Sequence, residues 1–259
     1  MKRSQSITNK LPAAAAMAIL LLAWYFACAW ELVPGFMLPS PGAVWSALVN
    51  EFPLLMQHAR VTLAEAALGL MTGIAVAFVF ATLMDRFNVL YKALYPIIIV
   101  TQTIPTIAIA PLLVLWMGFE MAPKVTLVAI TTFFPITIGL LDGYASADKE
   151  AAALLRSMGA SRRQIFRHLK FPAALSHFFS GLRVSASYAV VGAVISEWLG
   201  GFEGLGVYMT RVKKAYAFDK MFAVIVFITA VSLLLMLAVA VLRRLSMPWE
   251  AYEKLERKD

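Results

Sequence analysis

The sequence predicts an all-α, polytopic membrane protein with six transmembrane helices. Three observations carry that reading. Of 259 residues, 61% are hydrophobic and only 15% charged, whereas soluble domains average roughly 45–50% apolar and about 25% charged. The apolar residues gather in runs long enough to cross a hydrocarbon core of about 30 Å. The long polar interruption, residues 148–172, carries helix-capping signals of its own.

Residues 1–10 hold Lys2, Arg3 and Lys10 and form a short cytoplasmic N-terminus. The apolar run 11–30 follows as TM1. Its basic start and its Ala27-Cys28-Ala29 have the form of a secretory signal, but the run is about twice a typical signal core, so an uncleaved helix is expected. Residues 31–58 are rich in proline, with a short amphipathic helix expected after Pro41. TM2 spans 60–84 and contains Gly69-x-x-x-Gly73, small residues that let two helices approach closely. Packing inside one subunit is favoured over a dimer contact. Glu65, near the start of TM2, is expected to reach the outer interface or a polar partner.

TM3 spans 91–117 and carries Pro96, Pro105 and Pro111, with Gln102, Thr103 and Thr106 among them. Prolines inside a membrane helix free backbone carbonyls, which is tolerated where protein or a water-filled cavity satisfies them. TM3 is therefore either a kinked packing helix or part of a pathway. TM4 (124–141) has a further kink at Pro135. TM5 spans 174–196 and TM6 spans 221–242, followed by a charged cytoplasmic tail, 244–259. Arg183 lies within TM5 and is expected to snorkel or to join a structural ion pair. At membrane depth Gln102, Thr103, Thr106, Ser185, Ser187 and Tyr188 offer hydrogen-bonding groups for a ligand route, or equally for contacts between helices.

The polar stretch reads as two short helices separated by Gly159. Asp148 can cap the first, with Glu150 in its first turn, where an acid suits the helix dipole. Gly159 can take the left-handed conformation that ends a helix. Ser161 and Gln164 have capping-box spacing, so a second helix is expected to start there and to stop before Pro172. Its exposed face carries Arg162, Arg163, Arg167 and Lys170, and Ile165, Phe166 and Leu169 form an apolar stripe.

Charge placement orients the six spans. The termini, the 85–92 loop and the 142–172 loop hold most of the 23 basic residues. The opposite side holds only Arg60, Lys124, Arg211, Lys213, Lys214 and Lys220. The positive-inside rule puts both termini and the hairpin in the cytoplasm. The net charge of +8 thus flanks membrane spans, and no nucleic-acid partner is expected. Cys28 is the one cysteine, so there is neither a disulfide framework nor a cysteine-based metal site.

Several motifs are absent. No phosphate-binding G-x-x-x-x-G-K-[ST] loop occurs, and His58, His168 and His177 form no metal or catalytic set. No catalytic residue, metal or bound cofactor is expected of this chain. No carboxylate falls near the middle of any predicted span, where a proton-coupled carrier usually has one. Energy for transport is therefore expected to arrive through the hairpin.

From Gly159 the hairpin resembles the EAA loop of permease subunits of bacterial ABC importers. The likeness is Gly159, nine residues, then Leu169-x-Phe171-Pro172, against a family pattern of Gly, nine residues, Ile-x-Leu-Pro. The family's Glu-Ala-Ala register falls on Ala153-Leu154-Leu155 here. Glu150-Ala151-Ala152 has the right letters one turn earlier and shares a face with Ala153. MLPSPGAVWSAL, QTIPTIAIAPLLVLWMGF, FFPITIGLLDG and FPAALSHFFSGLRVSASYAVVGAVISEWLGGFEGLG are similar to the nitrate/sulfonate/taurine branch, and most similar to permeases for thiamine precursors of the hydroxymethylpyrimidine type.

The resemblance implies a type I importer permease fold in the bacterial inner membrane and a division of labour. A periplasmic or lipid-anchored binding protein delivers a small polar solute, two permease chains form the route, and cytoplasmic ATPase subunits hold ATP and Mg. It places Glu150, Ala153, Leu154, Leu155, Arg156, Gly159, Ala160 and Pro172 at the ATPase contact. Glu197, Gly201 and Gly204 fall in an outer loop that meets the binding protein or simply turns. Sulfonate, taurine or nitrate cargo is the alternative within the family, and an ion-coupled carrier the alternative outside it.

Overall fold

The computed structural model describes residues 11–249, so the expectations for 1–10 and for the tail from 250 onward lie outside the described residues. These residues form helices, without strands: α1 Leu11–Ala29, α2 Pro41–Arg86, α3 Asn88–Thr101, α4 Thr106–Met117, α5 Met121–Ala145, α6 Lys149–Ser157, α7 Arg162–Ile165, a π-helical turn Phe166–Lys170, α8 Phe171–Glu197, α9 Leu205–Lys214 and α10 Phe218–Ser246. Five are long and apolar enough to cross a membrane, and a sixth span results if the bent pair α3 and α4 counts as one.

The centre is α5, packed chiefly against α8 and α2. Small residues set that closeness. A Cβ added to Gly73 would lie 2.3 Å from the Thr132 hydroxyl, and one on Gly181 would lie 2.4 Å from the Pro135 carbonyl oxygen. Gly69 meets Val128 in the same way. The Gly69-x-x-x-Gly73 pair therefore packs inside the subunit. Around these contacts lie Ala77, Ala81, Ile136, Leu140, Ala186, Ala189, Val190 and Ala193, all buried. By contrast α1 is exposed along most of its length, as expected of a helix whose solvent is lipid.

Three boundaries differ from the sequence reading. The amphipathic helix after Pro41 and TM2 are one helix of 46 residues, capped by Ser40, whose Oγ accepts the Ala43 N–H. Pro53 lies inside it without ending it. TM3 is not one continuous helix. Its halves meet at 99° across residues 102–105, where Pro105 has no N–H to donate and holds the residue before it out of the helical region.

Pro172 does not stop the hairpin's second helix either. The chain winds from α7 through the π turn straight into α8, with Phe171 N–H donating to the Phe166 carbonyl. The wider π turn takes up the ring that an α-turn would reject, and Pro172 then occupies the tolerated first turn of α8.

Candidate coupling surface and transport route

At one end of the bundle the segment 148–172 folds as the cap signals imply. Asp148 Oδ1 accepts the N–H groups of Glu150 (2.8 Å) and Ala151 (3.4 Å). Gly159 has φ +83°. Ser161 and Gln164 close both halves of a capping box. No residue of α6 is buried, and Leu154 and Met158 are 62% and 74% exposed. Glu150, Ala153, Arg156 and Gly159 are also exposed, with Leu155, Ala160 and Pro172 half-buried. A short helix with no core of its own thus presents an uncovered apolar edge ringed by charge.

The second arm of the hairpin is anchored. Ile165 is buried, the Phe166 and Tyr144 rings lie 5.2 Å apart, and Lys170 Nζ bonds Asp85 Oδ1 at 2.6 Å. The arm therefore touches α5 and the end of α2, and it is continuous with α8. The second arm of the hairpin is thus joined to three core helices through side chains and backbone.

Where α3 breaks from α4, a cavity of about 230 Å³ lies between that elbow, α5 and α8. Gln102, Thr106 and Tyr188 line it, together with Thr101, Thr131 and the apolar Ile109, Val191 and Ile195. The remaining route candidates lie elsewhere. Thr103 is exposed beside the elbow and donates to the Val100 carbonyl. Ser185 is buried and donates to the Thr132 carbonyl at 2.9 Å, tying α8 to α5. Ser187 faces Met236 of α10. Thr101 and Thr131 were missed: Thr101 directly precedes the QTIP stretch without being part of it, and Thr131 adjoins no sequence motif. Thr101 ends α3 at the elbow, and only the fold brings Thr131 there.

This division separates two variants. Ser185→Ala is expected to lower thermal stability in detergent by about 0.5–1.5 kcal/mol with uptake little changed. Gln102→Ala should leave the melting temperature in place and reduce uptake several-fold. Melting curves and transport assays on the same preparations check both.

The opposite end holds a buried polar lock. Glu197, expected in an outer loop, is the last residue of α8 and is 2% exposed. Its Oε1 accepts from Thr62 Oγ1 (2.7 Å) and its Oε2 from Gly206 N–H (2.6 Å). Leu205 N–H donates to Thr62 Oγ1, and Gly204 N–H to His58 Nδ1. Beside it Lys124 Nζ bonds Glu65 Oε1 at 2.7 Å, with both side chains buried. Glu65 thus finds a polar partner.

The outer loop glycines press onto this lock. Gly204, at φ +126°, would place a Cβ 2.3 Å from the Glu197 carboxyl, and Gly201 would place one 2.9 Å from Lys124 Nζ. The parts of the loop that face outward are Phe202 and Glu203. Among the described residues no cluster of His, Cys, Asp or Glu is arranged to hold a metal.

A multi-pass bundle with a broken helix beside a small cavity of mixed lining and a protruding hairpin rooted in the core is an architecture suited to a transport subunit. The chain belongs to the family described as binding-protein-dependent transport system inner membrane component, whose sequence profile matches residues 69–248. It is 36% identical over 219 residues to a probable ABC transporter permease protein of Haemophilus influenzae, covering 85% of this chain and 89% of that one. It is 35% identical over 215 residues to the formylaminopyrimidine transport permease protein ThiX of Halalkalibacterium halodurans, covering 83% and 86%.

Among solved structures, the MetNI methionine ABC transporter in an inward-facing conformation superposes at TM-score 0.67 and 18% identity, over 75% of this chain and 97% of that one. A bacterial transporter for the acidic polysaccharide alginate gives 0.64 at 15%, over 94% and 99%. These show a type I importer permease fold. The chain is an ABC importer permease of the inner membrane, with a transport role and not an enzymatic one.

Proposed function

We propose that this chain is the route-forming subunit of an importer for a small neutral heterocycle of the thiamine-precursor type, driven by ATP hydrolysis on a separate cytoplasmic subunit. The observation that carries the coupling is the hairpin. Its free apolar edge at Leu154 and Met158 fits a cleft on a partner, and its second arm is rooted in α2, α5 and α8. The likeness to the family's loop supports docking of this hairpin on the ATPase, and the charge distribution supports a cytoplasmic location for it and for both termini.

Two copies of the chain flank the route, and a binding protein outside delivers the solute near Phe202 and Glu203. ATP-driven closure of the ATPase pair moves the two hairpins, and the rigid bundles rock between outward and inward openings. ATP and Mg stay on the partner. The formylaminopyrimidine relative supports the cargo class, and a cavity of about 230 Å³ with a few hydrogen-bonding groups among apolar walls suits a flat, polar-edged ring. Relatives named for aliphatic sulfonates and taurine support a second reading, a small sulfonate.

The deciding experiment reconstitutes the chain in liposomes with its co-purifying ATPase and binding protein. Labelled formylaminopyrimidine, taurine and nitrate are then offered with and without ATP. Accumulation of the pyrimidine only with ATP and both partners supports the proposal. Uptake by the chain alone, collapsing when an ion gradient is dissipated, would replace it with a secondary carrier.

A further inference from the structure

The cavity at the elbow has a polarity of its own. Among the described residues that line it, none carries a charge, so an anion brought there would leave water without meeting a cation, at heavy cost. Gln102, Thr106 and Tyr188 each carry both a donor and an acceptor and answer either kind of solute. Thr101 and Thr131 do not. The Thr101 hydroxyl donates to the Ile98 carbonyl at 2.7 Å, and the Thr131 hydroxyl donates to the Val128 carbonyl at 2.9 Å. A hydroxyl has one proton, and each of these is spent on the residue's own helix. What the two oxygens have left are lone pairs.

The backbone reinforces this bias. Both threonines stand four residues before a proline, Pro105 and Pro135, and a proline has no N–H to return to the carbonyl of the fourth residue before it. The wall at each threonine is therefore poor in donors. On the facing side α8 passes the Thr131 hydroxyl with Gly192, which also lines the cavity. A Cβ there would stand 3.2 Å from Thr131 Oγ1, and without one the oxygen stays uncovered from that side.

We propose that Thr101 and Thr131 set the specificity of the route. Their oxygens take N–H groups from the passing solute, so the cavity favours neutral compounds with amino or amide protons over solutes that offer acceptors alone. The inference deepens the cargo reading above and rests on it. A buried acceptor left unmatched costs more than a matched one gains, and a site built around such groups rejects the analogue that lacks the donor. An aminopyrimidine presents N–H groups at its ring edge, whereas nitrate and methanesulfonate present none.

The test uses the chain reconstituted with its ATPase and binding protein, and reads the maximal ATP-driven rate with loaded binding protein in excess, so that capture outside does not enter. Labelled formylaminopyrimidine, taurine, nitrate and methanesulfonate are offered to the wild type, and the solute it imports becomes the probe for the variants. Thr101→Val and Thr131→Val keep the shape and remove the oxygen, and each should lower the rate about five-fold or more. Thr101→Ser and Thr131→Ser, which keep the oxygen, should restore most of it. Gly192→Ala sets a methyl group against Thr131 Oγ1 with both threonines intact, and it should slow transport as Thr131→Val does. Melting curves on the same preparations should show little change. Valine and alanine variants that import the pyrimidine at the wild-type rate overturn the role of the threonines and leave the cargo reading standing. Serine variants as slow as the valine ones assign the loss to packing and overturn it equally. A wild type that imports taurine and not the pyrimidine overturns the cargo reading, and the variants then decide the inference on the ammonium protons of taurine. ATP-driven import of nitrate or methanesulfonate overturns both.

Discussion

Gly159→Val is expected to abolish ATP-driven uptake while leaving the chain inserted and helical. Two bonds close α6 at this point: Gly159 N–H to the Arg156 carbonyl and Ala160 N–H to the Leu155 carbonyl, both 2.9 Å. They form a Schellman termination, which needs the left-handed residue that glycine supplies at φ +83°. A Cβ built there meets nothing within 4 Å, so valine harms no packing in the free chain. Its effect is on the backbone, a strain of about 1–3 kcal/mol for a branched residue held in that region. The hairpin relieves it by opening the turn, and α6 then leaves the direction in which α7 and the π turn support it.

The variants should grade with tolerance for positive φ: Gly159→Asn close to wild type, Gly159→Ala intermediate, Gly159→Val inactive. Membrane fractionation and circular dichroism follow insertion and helicity, and pull-down of the ATPase follows docking. Full ATP-coupled uptake by the valine variant would remove the hairpin from the coupling path.

That hairpin was legible in the sequence because its signals are local. Asp148, Gly159, Ser161 and Gln164 each act on backbone groups within a few residues, and each does so as expected. The membrane spans were legible for a similar reason, since composition alone marks a helix whose solvent is lipid. What failed to read through was set by distance or by competing local rules. Pro53 and Pro172 carry the same letter as Pro105, yet only Pro105 marks a break. The outcome depends on where the ring falls in the turn and on whether a π turn can absorb it.

Ser185 and Tyr188 looked alike as polar residues at membrane depth. Three positions apart on α8, they face different neighbours: Ser185 a carbonyl of α5, Tyr188 the cavity. Glu197 stands beside the glycine-rich stretch 200–206 and so read as part of an exposed loop. Its partner Thr62, like the His58 that holds Gly204, lies well over a hundred positions away in the chain, and no local signal ties them together.

The same long-range lock yields the largest expected loss of stability. Lys124→Met leaves the Glu65 carboxylate buried without its cation, its Oε2 already lacking a partner. Breaking one side of a buried ion pair costs about 3–5 kcal/mol, enough to lower the melting temperature in detergent by many degrees or to prevent accumulation. Removing both charges is different. Methionine at 124 and leucine at 65 fill similar volumes with apolar surface, and a buried pair exchanged for well-packed hydrophobic residues is often neutral or stabilising. The double variant Glu65→Leu, Lys124→Met should therefore recover most of the loss.

Recovery of stability need not bring recovery of transport. Lys124 also lies against the loop at Gly201, and with both charges gone that loop keeps its attachments to Glu197, Thr62 and His58 and the Arg211 bond to the Phe202 carbonyl. Thermal melts of the four chains in the mutant cycle, paired with uptake, separate the two effects. If the single and double variants all melt with the wild-type chain, the pair contributes nothing and the lock rests on Glu197 alone. If the double variant regains stability and remains slow in uptake, the Lys124 contact holds the outer loop in the position that transport requires.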